Sequence, residues 1–363
     1  MRNFGLDIMR ALSIWLVLLQ HGGINIHGLS PLKIGGIGVE VFFVLSGFLI
    51  GGILFQEIDK GNSIAKTLKS FWIRRWLRIL PLYYTILLFK FIFFDHSIGL
   101  NILYYFFFLQ NNFCGIQYFS VSWSLVIEEW FYLFTPIFLL LINTIFKSDK
   151  KIFASMIVLI ICIIIFRIIY VFHDNIPYEG VNGNFPFRFD SLFMGVIIAF
   201  IKNKKWKLFD KANSSAVFLL GLIIFFGYIF YYWTLSYPNN LINKVWFPRT
   251  IGFFILPFSI SLTIPYISSI KFRANKNLFY NYFYLFINTT SVLTYSIYLI
   301  HPFIFCFKFN LLILILITYI ISWTTYNYLE KPILKYRDKI TDYNNKLPQA
   351  GEIVLNGSGK YQI

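Results

Sequence analysis

Long apolar stretches separated by short polar segments dominate the hydropathy pattern of this chain. A helix needs about 20 mostly apolar residues to cross a bilayer, and ten windows of roughly this kind occur. The sixth window is short, and the tenth follows the ninth almost without a loop. The windows are 6–28, 34–55, 79–98, 129–146, 152–172, 187–201, 215–235, 248–268, 289–307 and 309–329. The pattern predicts an all-α polytopic membrane protein with about ten transmembrane helices.

The positions of the positive residues support this topology. Cytoplasmic loops of membrane proteins carry an excess of Lys and Arg. With the N-terminus in the cytoplasm, three quarters of the 32 Lys and Arg fall in cytoplasmic segments, and both termini are predicted to be cytoplasmic. Only Lys33, Lys244 and Lys308 fall in outer loops. The net charge of +16 is therefore a topology signal, and no nucleic-acid partner is predicted.

The composition excludes two other classes of protein. With 58% hydrophobic and 13% charged residues, the chain has half the charge of a soluble globular domain and too much apolar surface for a disordered one. The cysteines, Cys114, Cys162 and Cys306, lie far apart and predict no disulfide framework or metal site. The first apolar run carries Arg10 and His21 and lacks a cleavage site, so it is predicted to be a retained membrane helix.

Two segments outside the windows are also informative. The outer connection from Asp95 to Ser124 contains no Lys or Arg, and its aromatic run, Tyr104 to Phe108, predicts an interfacial or re-entrant segment. Residues 1–335 are predicted to form one transmembrane domain. Residues 336–363 are predicted to be a polar cytoplasmic tail, and residues 351–363 resemble a linker, native or added.

Ionisable residues inside the windows are the candidate functional groups, because a charge at the bilayer centre costs at least about 2.5–3.5 kcal/mol. Arg10 and His21 share one face of the first helix, about 16 Å apart along its axis, with His21 about two turns from the outer end. Glu40 is expected at similar depth on the second helix. A His21–Glu40 pair suits general-base catalysis, a structural hydrogen bond between helices is an equal alternative, and a metal site is a minor one.

An arginine cluster precedes the third window. Arg74, Arg75 and Arg78 are spaced so that their guanidinium groups share one side of a helix. Guanidinium groups bind phosphate in a bidentate geometry. The spacing alone is more typical of a cytoplasmic anchor with arginines that reach the membrane surface.

Near the outer face, Glu128 and Glu129 begin the fourth helix, where the helix dipole favours anions. Successive helical residues point about 100° apart, so both cannot face one pocket, and Glu128 is predicted to face inward. Arg188 and Asp190 open the sixth window, either as a structural clamp or as a holder of a polar acceptor. His301 lies near the outer end of the ninth window, where an isolated histidine is more often interfacial than catalytic.

Taken together, six segments resemble the acyltransferase 3 family of bacterial integral-membrane O-acyltransferases. The resemblance covers roughly residues 5–335, although Glu40 stands where Asp is common in that family. The six segments are Leu6 to His21, Gly38 to Leu49, Arg74 to Pro81, Trp123 to Tyr132, Tyr295 to Pro302 and Leu329 to Pro332.

The resemblance implies a multi-pass protein of the bacterial cytoplasmic membrane that transfers an acyl group from acyl-CoA, favouring acetyl-CoA, to a hydroxyl of a cell-envelope glycan or glycolipid. It implies catalysis by His21 with Glu40. The donor's phosphates would bind Arg74, Arg75 and Arg78, together with Arg10, at one site reached from both sides of the membrane. The residues implied to position the acceptor are Glu128, Arg188, Asp190 and His301.

The sequence is consistent with several alternatives. Direct transfer and a covalent acyl-histidine intermediate are both consistent with His21. A transporter or flippase of envelope saccharides is the alternative from another class, since polar residues at two depths can line a permeation path. No metal is predicted, and a protein partner that completes or relays the reaction is left open.

Overall fold

The computed structural model describes residues 3–23, 34–113, 118–236, 241–272 and 278–340. Within these ranges the regular structure is entirely helical. Cys114, Lys33 and the tail from residue 341 onward lie outside the described residues. The predicted domain boundary at residue 335 falls inside the last described helix, so the division into a domain and a tail stays a prediction.

Sixteen helices follow one another along the described residues. The first eight are α1 (Phe4–His21), α2 (Ile34–Asp59), α3 (Ile64–Phe93), α4 (Ile102–Phe106), α5 (Gln110–Phe113), α6 (Trp123–Phe146), α7 (Asp149–Asp174) and α8 (Tyr178–Gly183). The others are α9 (Phe185–Asn203), α10 (Lys207–Ala212), α11 (Ser215–Ser236), α12 (Trp246–Arg249), α13 (Gly252–Ile267), α14 (Leu278–Phe305), α15 (Leu311–Thr325) and α16 (Lys331–Ile340). A π-helical turn, Tyr326–Glu330, joins α15 to α16.

Each of the ten predicted windows coincides with a helix, which confirms the all-α polytopic fold. Eight helical segments of the described chain are long and apolar enough to cross a membrane. The helices at the other two windows are α9, which carries the charges of Arg188 and Asp190, and α13, which has only 16 residues. The aromatic run from Tyr104 to Phe108 lies on and just after α4, which is too short to cross a bilayer.

Two helix ends differ from the sequence prediction. The first helix ends at His21 and does not continue to residue 28, because Gly22 caps it and Gly23 adopts a positive φ of 68°. The third helix begins at Ile64, well before residue 79, with the Ser63 hydroxyl accepting from the Lys66 amide. The arginine cluster consequently lies within α3, and Arg75 is about 16 Å along the helix from its first residue, Ile64.

Small residues, Gly47 and Gly51 on α2 and Gly195 and Ala199 on α9, bring the two helices together. These two helices make the most extensive helix–helix contact of the described chain. A methyl group on Gly47 would meet the Leu192 carbonyl oxygen, and one on Gly195 would meet the Val44 carbonyl oxygen. Backbone approach of this kind is typical of membrane helices, where packing replaces the hydrophobic effect. The contact fixes the polar residues of α2 and α9 relative to each other.

Candidate active site

The first cavity lies between the ends of α1 and α14, the start of α2 and the segment around α8. Its volume is about 280 Å³. Aromatic rings and polar groups line most of it. Its lining includes His21, Val39, Glu40, Trp123, Tyr178, Asn182, Tyr228, Tyr232, Phe253 and Tyr298. Loss of water around Tyr178 raises the pKa of its hydroxyl well above the usual value, so Tyr178 presents a neutral hydroxyl.

His21 is the last residue of α1 and meets a second histidine. Its Nδ1 atom lies 3.0 Å from the Val17 carbonyl oxygen and 3.3 Å from Nε2 of His301. His301 is fully buried on α14, and its own Nδ1 lies 3.0 Å from the Ile297 carbonyl oxygen. The two rings are 4.8 Å apart between centroids. His301 therefore contacts His21, although it does not itself line the first cavity.

The predicted pairing of His21 with Glu40 is wrong. Both side chains line the first cavity, but Glu40 forms an ion pair with Arg188 and accepts a hydrogen bond of 3.1 Å from the Ser191 hydroxyl. The physical reason is the close packing of α2 on α9, which places a permanently charged guanidinium against the carboxylate. A neutral imidazole competes poorly with such a partner.

The predicted pairing of Arg188 with Asp190 is also wrong. Asp190 pairs instead with Arg167 of α7, at 2.9 Å, and Arg167 also donates to the Phe187 carbonyl oxygen at 2.6 Å. Residues two apart on a helix point about 200° apart, so Arg188 and Asp190 face different neighbours. Neither residue is among those that line the first cavity, and Arg188 contacts it through Glu40 and through Asn182, to whose amide oxygen it donates.

The second cavity lies deeper in the bundle and is smaller, at about 160 Å³. Three arginines, one carboxylate and several hydroxyls line it, which gives it an excess of positive charge. Its lining includes Arg10, Ser46, Arg75, Arg78, Ser124, Glu128, Tyr132, Ser291, Tyr295 and Tyr298. This set is suited to an anionic ligand with additional hydrogen-bonding groups.

Neighbouring side chains orient the arginines of the second cavity. Arg10 donates to Asp7 at 2.8 Å, and Asp7 in turn accepts from the Ser291 hydroxyl at 2.7 Å. The Arg75 guanidinium lies over the Tyr132 ring, 5.8 Å from its centroid. Asp7 and Tyr132 thus position cationic groups at the cavity wall without removing their charge.

Arg74 does not join this cavity, contrary to the prediction that the three arginines of α3 share one site. Its Nη2 atom lies 3.7 Å from a carboxylate oxygen of Glu57 near the end of α2, and its Nε donates to the Ser70 carbonyl oxygen. The attraction of Glu57 explains this orientation. Of the three arginines, only Arg75 and Arg78 line the second cavity with Arg10.

Glu128 lines the second cavity rather than the outer acceptor side, where the sequence places it. It accepts from the Tyr132 hydroxyl at 2.8 Å and from Ser46 at 3.4 Å, whereas Glu129 is buried and lines neither cavity. Of the two carboxylates, Glu128 is the one that faces a cavity, although Glu129 is the more buried. The neighbours of Glu128 differ because α3 begins earlier than predicted, which brings Arg75 up to the level of Glu128.

Val39 and Tyr298 line both cavities and form the partition between them. The Tyr298 hydroxyl donates to the Val121 carbonyl oxygen at 2.7 Å, so the Ser124 hydroxyl must be the donor in its 2.7 Å contact with Tyr298. The single two-sided site expected from the sequence is therefore two adjoining cavities. Sequence reasoning missed Tyr298, although it lies three residues before His301 on the same helix.

The family model and the known proteins that this chain resembles are named as acyltransferases. The family model described as "Acyltransferase domain" matches residues 3–327. A Staphylococcus aureus (strain MRSA252) protein named "Putative O-acetyltransferase" is 28% identical over 97% of this chain and 60% of its own length. The Listeria monocytogenes serovar 1/2a protein named "Peptidoglycan O-acetyltransferase OatA" is 33% identical over 54% of this chain and 33% of its own length.

The chain thus spans little more than half the length of the first of these relatives and less of the second. No solved structure gives a significant match.

Proposed function

This chain belongs to the acyltransferase 3 family, and from that premise we propose that it is a membrane O-acetyltransferase of the bacterial cytoplasmic membrane. It transfers an acetyl group from acetyl-CoA to a hydroxyl of a cell-envelope glycan, with peptidoglycan as the favoured acceptor. The names of both relatives support the reaction class, and the name of the Listeria monocytogenes relative supports the acceptor class.

One observation carries the proposal: two chemically different cavities adjoin at Val39 and Tyr298. One is cationic and the other is aromatic and contains His21. A group-transfer enzyme needs two substrates held so that their reacting atoms meet. Val39 and Tyr298 mark the place where the acyl group passes from the donor to the acceptor.

The second cavity is the proposed donor site. Arg10, Arg75 and Arg78 bind the phosphate groups of the donor, since guanidinium groups form paired, charge-assisted hydrogen bonds with phosphate oxygens. The Glu128 carboxylate can accept hydrogen bonds from the amide N–H groups of the pantetheine arm. The Ser46 hydroxyl can donate to its amide oxygens. The predicted cytoplasmic side of α3 is the entry for the donor.

The first cavity is the proposed acceptor site. Its aromatic rings, among them Trp123, Tyr178 and Tyr232, offer faces on which the apolar C–H side of a sugar ring can stack. Asn182 and the neutral Tyr178 hydroxyl provide hydrogen bonds to sugar hydroxyls. A saccharide needs this combination of flat apolar surface and polar edge.

His21 is the proposed general base. Its imidazole accepts the proton of the acceptor hydroxyl while the hydroxyl oxygen forms a bond to the thioester carbonyl carbon. The carbon–sulfur bond then breaks, and the departing thiolate takes the proton from the imidazolium. Protons and charges balance, and His21 returns to its starting state.

The test uses the full chain in lipid vesicles with radiolabelled acetyl-CoA and de-O-acetylated peptidoglycan strands. We expect label on the glycan with the wild type, none with His21→Ala, and normal labelling with His173→Gln, since His173 is an exposed histidine that lines neither cavity. Label transfer by His21→Ala would remove the catalytic assignment. Movement of glycan across the vesicle membrane without labelling would favour the transporter alternative.

A further inference from the structure

The contact between His21 and His301 joins two helices that are far apart in sequence. Nδ1 of His21 lies 3.3 Å from Nε2 of His301, and each Nδ1 also lies 3.0 Å from a backbone carbonyl oxygen of its own helix, Val17 for His21 and Ile297 for His301. His301 is fully buried, and the proposed reaction as described above does not use it. Its two ring nitrogens nevertheless have defined partners.

These contacts fix the positions of the ring protons. A carbonyl oxygen can only accept, so Nδ1 of His301 must carry a proton and donate to Ile297. A neutral His301 then has a lone pair on Nε2. Nδ1 of His21 must likewise carry a proton, which it shares between the Val17 oxygen and Nε2 of His301.

The opposite arrangement is unfavourable. If Nε2 of His301 donated to His21, the lone pair on Nδ1 of His21 would point at the Val17 carbonyl oxygen only 3.0 Å away. Two acceptors at that distance repel each other and leave a hydrogen bond unmade. The geometry therefore selects one tautomer of His21, with the proton on Nδ1 and the lone pair on Nε2.

We propose that His301 is a positioning residue that, together with the Val17 carbonyl oxygen, orients the His21 ring so that its Nε2 atom is the base of the acyl transfer. This inference rests on the proposed function. His301 takes the part that the sequence assigns to Glu40, whose carboxylate is occupied by Arg188 and Ser191. A neutral imidazole, rather than a carboxylate, orients the base.

The proton balance is complete without any change at His301. The acceptor hydroxyl gives its proton to Nε2 of His21, and the resulting imidazolium keeps donating from Nδ1 to His301. The thiolate that leaves the acetyl group then removes the proton from Nε2. His301 stays neutral and stabilises the charged state of His21 through one hydrogen bond.

The kinetic test compares two substitutions of His301. His301→Leu fills the space but cannot accept a hydrogen bond, and we expect kcat to fall on the order of a hundredfold while the KM values for acetyl-CoA and glycan change less than about twofold. His301→Gln, whose amide oxygen can accept from Nδ1 of His21, should recover at least about tenfold of that loss. His173→Gln is the matched control.

A spectroscopic test is independent of turnover. In wild-type protein labelled with ¹⁵N-histidine, we expect His21 to show a protonated Nδ1 and an unprotonated Nε2, with the signal assigned by its loss in His21→Ala. In His301→Leu the Nδ1 proton of His21 keeps the Val17 oxygen as acceptor but loses His301, so we expect the Nδ1 signal to move from its wild-type position, and an unchanged signal would contradict the hydrogen bond to His301. A wild-type His21 protonated at Nε2 would overturn the proposal even if neither His301 variant folds.

The two tests separate this inference from the proposed function. If His21→Ala is inactive but His301→Leu keeps the wild-type kcat, the positioning role is wrong and the enzyme assignment stands. If His21→Ala keeps its activity, the catalytic assignment fails whatever tautomer the spectra show.

Discussion

Two buried arginines of this protein pair with carboxylates on other helices. Arg188 and Arg167 are both fully buried, and each meets a carboxylate, Glu40 and Asp190 respectively. An unpaired charge in such a place is strongly unfavourable, and removing one partner of a buried pair typically costs about 3–5 kcal/mol. These pairs therefore constrain how α2, α7 and α9 assemble.

Replacement of Arg188 by Met should destabilise the protein because Glu40 would be left buried without a counter-charge. We expect a loss of about 3–5 kcal/mol in the free energy of unfolding in a fixed detergent, and partial recovery in the double variant Glu40→Gln with Arg188→Met. Lys244→Met, at an exposed lysine, is the control. A double variant as unstable as the sum of both single variants would show that the pair is not coupled.

The arginines of α3 should separate into two groups. Arg75→Ala and Arg78→Ala should each raise the KM for acetyl-CoA about tenfold or more, because each removes a charged phosphate ligand. Arg74→Ala should leave that KM within about twofold, since its guanidinium faces Glu57. Lys69→Ala, at an exposed cation of the same helix, controls for general loss of positive charge. Equal changes in the KM for acetyl-CoA at all four positions would indicate that the arginine cluster is a membrane anchor and not a phosphate site.

The sequence identifies most of the residue types of the site but not their partners. His21, Glu40, Arg75 and Arg78 stand out because ionisable groups are costly in apolar helices. Their contacts depend on which helices are neighbours, and no sequence spacing records this: Glu40 and its partner Ser191 are 151 residues apart. The same limit explains the wrong pairing of Arg188 with Asp190, which rested on proximity along the chain.

Hydropathy predicts the positions of the helices more accurately than it predicts their ends. All ten windows contain a helix because the bilayer requires long apolar stretches. The ends depend on local signals that a hydropathy window does not detect, such as Gly22 and Gly23 after α1 and Ser63 before α3. The early start of α3 decides the site, because it brings Arg75 to the wall that contains Glu128.

The close contact of α2 with α9 leaves no room for a larger side chain at Gly195. Gly195→Ala should lower the melting temperature and the activity together, because the new methyl group would meet the backbone of Val44 and Phe48, which cannot move without separating the two helices. Overpacking of this kind costs about 1–3 kcal/mol. Gly52→Ala is the matched control, since nothing lies within 4 Å of its added methyl group. Equal melting temperatures for the two variants would contradict the close packing.

For the molecule as a whole, apolar side chains cover the outward faces of α7, α11 and α15. Ile169, Phe230 and Ile320 are each about 60% exposed, as suits side chains in contact with lipid. Glu40, Arg188 and His301, by contrast, are buried in the interior. In the proposed reaction the reacting groups are shielded from lipid, and the substrates enter from the two aqueous phases at the helix ends.

The predicted orientation of the chain can be tested with single cysteines in a variant that lacks Cys114, Cys162 and Cys306. Lys150→Cys, at the exposed start of α7, should react with a membrane-impermeant maleimide only in inside-out vesicles, because positively charged segments between spans stay in the cytoplasm. Lys244→Cys should react only in right-side-out vesicles. Reaction of both from the same side would rule out the arrangement in which the donor enters near α3 and the acceptor near α8.

In the proposed reaction, the cationic cavity holds the donor and presents its thiol end to the partition beside His21. The most direct measurement is an electron cryo-microscopy structure of the full chain with coenzyme A. We predict phosphate density against Arg75 and Arg78 and a chain of density that ends between Val39 and Tyr298. Coenzyme A bound elsewhere, or with its thiol directed away from Tyr298, would contradict the account.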